Sequence, residues 1–325
     1  MRSALIIFAG LFGYGAVLTQ AQQMAGPASG FLFDAPTRSL RAVTGSPGAA
    51  LFGPALFSDA DYGSVAPRRD YALVRRRDGL LLVRNLGSPS VAAVSISGLP
   101  AVPEGVSWSA DGSVALLYSR IENWIQQIAN LPDSPTLGPV LSISPLGGTL
   151  AALAVGPHGD QIAVAVSGAS SSVYELTNGQ NFIPLPFAPE PVALAFSADG
   201  GTLYGASAGQ LIALNTQDLT AQSWPLDLQD PVAVTASSDP QSRKVYVAAG
   251  DDRMLIALDG ASGQAVAGFD LSFEPTALEA LGSAAFVLRP RASGQDPLWS
   301  FVNFPQGNVY FVPALPPAPR RERPR

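Results

Sequence analysis

Short apolar runs alternate with polar, glycine-bearing turns along most of the chain. The clearest example is Phe196-Ser-Ala-Asp-Gly-Gly-Thr-Leu-Tyr-Gly-Ala-Ser207, followed by Gln210-Leu-Ile-Ala-Leu-Asn215. Runs of four to six apolar residues bounded by Asp-Gly or Ala-Gly predict strand, tight turn, strand, short loop, strand. The same arrangement occurs earlier, at Trp108-Ser-Ala-Asp-Gly-Ser-Val-Ala-Leu-Leu-Tyr118 and at Val155-Gly-Pro-His-Gly-Asp-Gln-Ile-Ala-Val-Ala165. No stretch sustains a three-to-four period over helical length. The segment Ile121–Ala129 reads as a strand with a bent edge, with a helical turn as the alternative.

Comparable turns centre on Arg69, Gly112, Gly159, Gly200, Pro240 and Gly282, at steps of roughly 40 to 47 residues. Repeats of this length, each holding four short strands, predict the blades of a β-propeller. The units span about 55–96, 103–143, 149–186, 191–226, 231–271 and 275–312. Their middle strands, such as Gly79-Leu-Leu-Leu-Val83, are continuously apolar, as expected when neighbouring blades cover both sheet faces. Phe31–Asp34 and Ser39–Thr44 form a further hairpin ahead of the units, and Pro47–Pro54 reads as a connection. Two strands alone are marginal in water, so the hairpin is expected to pair beside the last blade and close the ring. This gives an all-β propeller of seven blades by preference, with six as the alternative.

The 47% hydrophobic content can fill a large core, and 32 Gly and 29 Pro suit many tight turns. A net charge of -6 argues against nucleic acid as a partner. The absence of Cys excludes disulfides, thiolate metal sites and Cys nucleophiles. Met1-Arg2-Ser3 precedes an apolar run, Ala4–Leu18, and Thr19-Gln20-Ala21 offers small residues for cleavage. The run is short for a membrane span. Residues 1–21 therefore read as an export signal, with a retained anchor as the alternative, and the mature chain as periplasmic or secreted with no membrane span. A flexible lead (22–30), the propeller (31–312) and a Pro/Arg-rich extended tail (313–325) follow.

Candidate chemistry is sparse. His158 is the sole histidine; it reads as a turn residue, or as a general base oriented by Asp160. Gly205-Ala-Ser-Ala-Gly209 matches the string of a nucleophile elbow around Ser207, but here it joins two strands rather than a strand and a helix. Glu104, Glu190, Asp230 and Glu274 share a position just before the innermost strand of their units. Equivalent positions in a ring converge on one mouth, so these acids could line the channel and hold a ligand or Ca²⁺; otherwise they cap turns. Five arginines crowd one hairpin, Arg68 to Asp78, with Arg75 and Arg77 as candidate ligand contacts. Trp108 is expected to pack between blades, whereas Trp124 and Trp299 are expected to reach a face.

Ser197-Ala-Asp-Gly-Gly-Thr-Leu-Tyr204 resembles the S-P-D-G-x-x-L-Y signature of exported bacterial propellers of the YVTN and lactonase-like seven-bladed group, with Ala198 in place of Pro. Asp251-Asp-Arg-Met-Leu-Ile-Ala-Leu-Asp259 and Gly263-Gln-Ala-Val266 resemble the continuation of that repeat. The likeness covers about residues 55–312, lacks the Trp-Asp ending of WD repeats, and carries no catalytic set onto this chain. It implies recognition or scaffolding, with a protein or envelope glycan bound on one face and no cofactor. The alternative is a hydrolase of lactones, esters or sugars at the channel mouth, using some of the four acids, with or without Ca²⁺.

Overall fold

A computed structural model describes residues 28–46, 48–168, 172–177, 179–187, 191–237, 242–281, 285–291, 298–302 and 307–312. The segments read as export signal and tail, and Glu190, lie outside them. All the long elements among the described residues are strands. The first sheet comprises β1 (Ala28–Asp34), β2 (Ser39–Thr44) and β3 (Leu51–Phe57). Blade 1 is β4 (Tyr62–Val65), β5 (Ala72–Arg76), β6 (Gly79–Arg84) and β7 (Ala92–Ile96). Blade 2 is β8 (Gly105–Trp108), β9 (Ala115–Ser119), β10 (Trp124–Ala129) and β11 (Thr136–Ser142). Blade 3 is β12 (Gly148–Val155), β13 (Ile162–Gly168), β14 (Ser172–Thr177) and β15 (Asn181–Leu185). Blade 4 is β16 (Ala193–Phe196), β17 (Thr202–Ser207), β18 (Gln210–Asn215) and β19 (Ala221–Pro225). Blade 5 is β20 (Pro231–Ala236), β21 (Lys244–Ala249), β22 (Met254–Asp259) and β23 (Ala265–Asp270). Blade 6 is β24 (Pro275–Leu281), β25 (Ala285–Pro290), β26 (Leu298–Val302) and β27 (Asn308–Val312).

Each blade is an antiparallel meander in chain order. Among the described residues there are six four-stranded blades, the count held as the alternative on sequence grounds, and the N-terminal sheet has three strands. Its third strand corrects the sequence reading, because Leu51–Phe57 pairs with β2 instead of serving as connection and first-unit start. Pro54 sits exposed on this outer edge, where a missing N–H breaks no ladder bond. Strand β1 also starts at Ala28, inside the expected flexible lead. The segment around Ile121 forms a turn leading into β10, with no helix.

Apolar side chains from adjacent blades interlock across each joint. Val114, Leu116 and Ile125 of blade 2 meet Leu150, Val164 and Val166 of blade 3, and the other consecutive joints are built likewise. Burying one such side chain stabilises the fold by about 1.5–3 kcal/mol. Phe33 and Leu40 of the N-terminal sheet pack on Ala72, Val74 and Val83 of blade 1, while Leu32, Val43 and Phe52 pack on Val287 and Val312 of blade 6.

The first strand of that sheet runs counter to its neighbour. Phe33, near the end of β1, meets Tyr62 at the start of β4, with ring centroids 6.3 Å apart. Ser29 and Gly30, near its beginning, border a recess with Val65–Asp70 beyond the end of β4. Among the described residues, β1 is paired on one side only, with β2. Its direction is that of the second strand of a blade.

Candidate functional site

The turns that lead into the innermost strands define one face, the entry face, which they share with each blade's middle hairpin. The turns that leave those strands define the opposite, exit face. Glu104, Asp230 and Glu274 lie on the entry face, and each carboxylate is engaged there. Glu104 Oε1 accepts hydrogen bonds from Ser119 Oγ at 2.7 Å and Ile121 N at 2.9 Å, in the middle hairpin of its own blade. Burial works to raise its pKa, and these hydrogen bonds outweigh burial and hold it below the ordinary value. Asp230 Oδ2 accepts from Asp251 N at 3.2 Å. Glu274 accepts from Arg253 at 3.1 Å and from Arg291 at 3.1 Å, and the Arg253 bond lowers its pKa first. The shared position thus ties the incoming turn to a middle hairpin. Among the described residues, no three His, Asp or Glu side chains group as a metal site.

The arginine-rich hairpin divides between the two faces because β5 separates its ends. On the exit face, Arg69 Nε donates to Asp111 O at 2.9 Å. On the entry face, Arg75 Nη1 donates to Pro103 O at 3.1 Å, with its guanidinium 5.4 Å from the Tyr62 ring centroid. Arg76 reaches Ser58 O at 2.7 Å, and Arg77 is exposed in the β5–β6 turn. Arg75 therefore staples two blades, whereas Arg77 projects to solvent.

The Ser-Ala-Asp-Gly turns are capped by their own side chains. Asp111 Oδ1 accepts from Ser109 Oγ, Ser113 N and Ser113 Oγ at 2.7, 2.9 and 2.8 Å. Burial acts to raise the Asp111 pKa, but these bonds, with His158, overcome it and bring it down to about 2. His158 Nδ1 lies 3.3 Å from Asp111 Oδ2, so its partner is an acid of the preceding blade rather than Asp160. Ser207 is the buried last residue of β17 before a strand-to-strand turn, which is not elbow geometry. Trp124 corrects another expectation. It is buried between blades 1 and 2, with Nε1 donating to Glu122 Oε2 at 3.0 Å.

The innermost strands enclose a cavity of about 310 Å³ that opens past the exit turns. Phe31, Phe33, Tyr62, Trp108, Phe196 and Phe286 line it. Trp108 Nε1 donates to Ser64 Oγ at 2.8 Å, and its ring meets Tyr71 edge-on at 6.1 Å. Burial, followed by the nearby Glu279 carboxylate, raises the Tyr62 pKa, so its hydroxyl stays protonated. Glu279 accepts twice from Arg289, at 3.2 and 2.9 Å, and the remaining Arg289 Nη1 donates to Phe33 O at 2.9 Å. Sequence reasoning passed over Tyr62, Phe196, Glu279 and Arg289. Only their positions in strands next to the channel could have drawn attention to them.

No protein-family model matches this chain, and no curated protein matches it. Among solved structures, it is similar to the crystal structure of the Cps50 (Swd1) β-propeller domain of Myceliophteria thermophila. The TM-score is 0.60 at 13% sequence identity, over 78% of this chain and 86% of that one. The fold is a β-propeller. At that identity the likeness concerns the propeller architecture alone. Since 1427 solved chains match it, the architecture selects no particular partner.

Proposed function

We propose that this propeller is an exported, non-enzymatic binding module that grips a partner at the exit-face mouth of its channel. The observation that carries the reading is the aromatic lining there, from Phe31, Trp108, Phe196 and their neighbours. Aromatic side chains supply large contact areas at low entropic cost, and anchors of recognition surfaces are enriched in them. The described entry-face acids Glu104, Asp230 and Glu274 already hold hairpins together, which accounts for them without a ligand. The apolar run after Arg2 supports export. Packing against blades 1 and 6 supports a role for β1–β3 as the second, third and fourth strands of a further blade that closes the ring.

The partner is a protein or saccharide of the envelope, and the test targets the mouth. Phe196→Arg is expected to abolish retention of a bound envelope component in affinity capture. Glu104→Gln, on the opposite face, is expected to leave retention intact. Retention that survives Phe196→Arg but fails with Glu104→Gln would move the site to the entry face.

A further inference from the structure

A second recess opens on the exit face, between blades 4 and 5, with a volume of about 280 Å³. Its counterpart between blades 2 and 3 is bridged. There Gln127 Nε2 donates to Gly159 O at 3.2 Å, and Asp111 N donates to Pro157 O at 3.1 Å. The strand position of Gln127 is taken in blade 4 by Ala213, which pairs with Tyr204 as Gln127 pairs with Leu116. Loss of the amide leaves the blade 4–5 joint open, with Tyr204 Oη donating to Gly260 O at 3.1 Å.

The walls of this recess are polar and oppositely charged. Asp199, Asn215 and Gln222 come from blade 4, and Arg243 and Lys244, the only lysine of the chain, come from blade 5. The positive charge of Arg243 helps to lower the Asp199 pKa, behind hydrogen bonds from Ser197 and Gly201, yet no ion pair closes between them. Arg243 adopts a left-handed backbone, φ 43°, held by Gly260 N donating to its carbonyl at 2.6 Å. A strained arginine whose charge is left facing a gap is a feature associated with binding sites. Trp224 forms the outer wall. Its indole lies so close to Gly263 that a Cβ there would stand 2.1 Å from the ring, so the glycine fixes the ring's place.

We infer that this recess binds an acidic sugar residue, a deepening that rests on the binding-module reading above. The apolar face of a pyranose ring stacks on Trp224, its hydroxyls bridge Asp199, Asn215 and Gln222, and its carboxylate meets Arg243 and Lys244. A hydroxyl both donates and accepts, which suits a gap between charges of opposite sign. Asp199, and Asp259 across the ladder from Lys244, already accept hydrogen bonds from their own turns, which leaves Arg243 and Lys244 as the groups that meet the ligand's carboxylate.

The test is calorimetric titration of the full chain with hexagalacturonate and with its methyl ester, which has the same ring but no charge. The acid is expected to bind, the ester about tenfold more weakly. The pair Arg243→Gln and Lys244→Gln is expected to weaken binding of the acid by about tenfold or more. Trp224→Phe, which keeps an aromatic ring and so preserves packing, is expected to abolish the ligand-induced change in tryptophan fluorescence. Binding of the acid that ignores these changes but is lost in Phe196→Arg would overturn the recess and leave the channel mouth standing. Absence of any binding by the acid would overturn the inference too, while retention of a protein partner sensitive to Phe196 would still uphold the parent reading.

Discussion

Blade 4 and the N-terminal sheet solve the same packing problem by different means. In blade 4 all three strand pairs keep an unbroken register, and one local motif, Ser197-Ala-Asp199-Gly, caps the first turn. Leu203, Leu211 and Leu214 are fully buried against the neighbouring blades. The N-terminal sheet has three strands and register breaks in both ladders. It is tied to distant blades by Arg289 to Phe33 and by the ion pair of Arg38 with Asp61. A repeated blade is thus specified mainly by its own sequence. The odd sheet depends on contacts that only the assembled ring supplies, and loop-closure entropy must be offset before those contacts form.

The largest expected effect sharpens that contrast. Leu40 and Leu203 are both 0% exposed, and truncating either to Ala should cost about 2–5 kcal/mol in urea unfolding. The two variants should part in hydrogen exchange. Leu40→Ala should release the amides of β1–β3 ahead of the rest, whereas Leu203→Ala should loosen blades 3 and 4 together. Simultaneous release of all sheets in Leu40→Ala would show the N-terminal sheet to be as integral as a blade.

Next in size is Arg289→Met. It removes a bidentate partner of Glu279 and the donor to Phe33 O, and is expected to cost about 2–3 kcal/mol by thermal unfolding. Burial disfavours the guanidinium charge, and the Glu279 carboxylate more than restores it, raising the Arg289 pKa. Adding Glu279→Gln should recover part of the loss, because the acid would no longer be left without its cation. No recovery would mean that the bond to Phe33 O carries the effect.

Two glycines separate packing from backbone strain within the repeated blades. Both Gly159, φ 79°, and Gly209, φ 75°, are left-handed. A Cβ at Gly159 would stand 2.4 Å from Val114 of blade 2, while one at Gly209 would meet nothing within 4 Å. Gly209→Ala should therefore cost about 1 kcal/mol and Gly159→Ala about 2–3 kcal/mol in chemical unfolding. Equal costs would show that Val114 gives way.

The same contrast explains what could be read from the sequence. The blade boundaries were legible because Asp111-Gly112 and Asp199-Gly200 recur with the strands they join. The acids before the innermost strands were legible as a position but not in their role, since Glu104 is occupied by Ser119 and Ile121 from another turn of the blade. Two of the Arg289 contacts lie ten residues away, but the one to Phe33 spans 256 residues, and no local pattern announces it. The recess by Trp224 was hidden for a related reason. It exists because Ala213 is small where blade 2 has Gln127, and that difference matters only once adjacent blades face each other.

The smallest expected effect concerns the caps that make a blade self-sufficient. The Asp111 pKa falls from 3.8 unfolded to about 2 folded. A depressed carboxylate pKa contributes stability above the unfolded value, and that contribution disappears as pH falls through the folded one. Because the Asp111 side chain is 32% exposed, the contribution is reduced by solvent to about 1 kcal/mol. Asp111→Asn should thus be less stable than the parent by that amount at neutral pH, with the gap closing between pH 4 and pH 2. His158→Ala should shift stability at pH 7 by about 0.5 kcal/mol or less, since the imidazole is 78% exposed. A gap for Asp111→Asn that persists at pH 2 would show that the hydrogen bonds from Ser109 and Ser113 stabilise the turn without the charge. The cap would then be a matter of geometry alone.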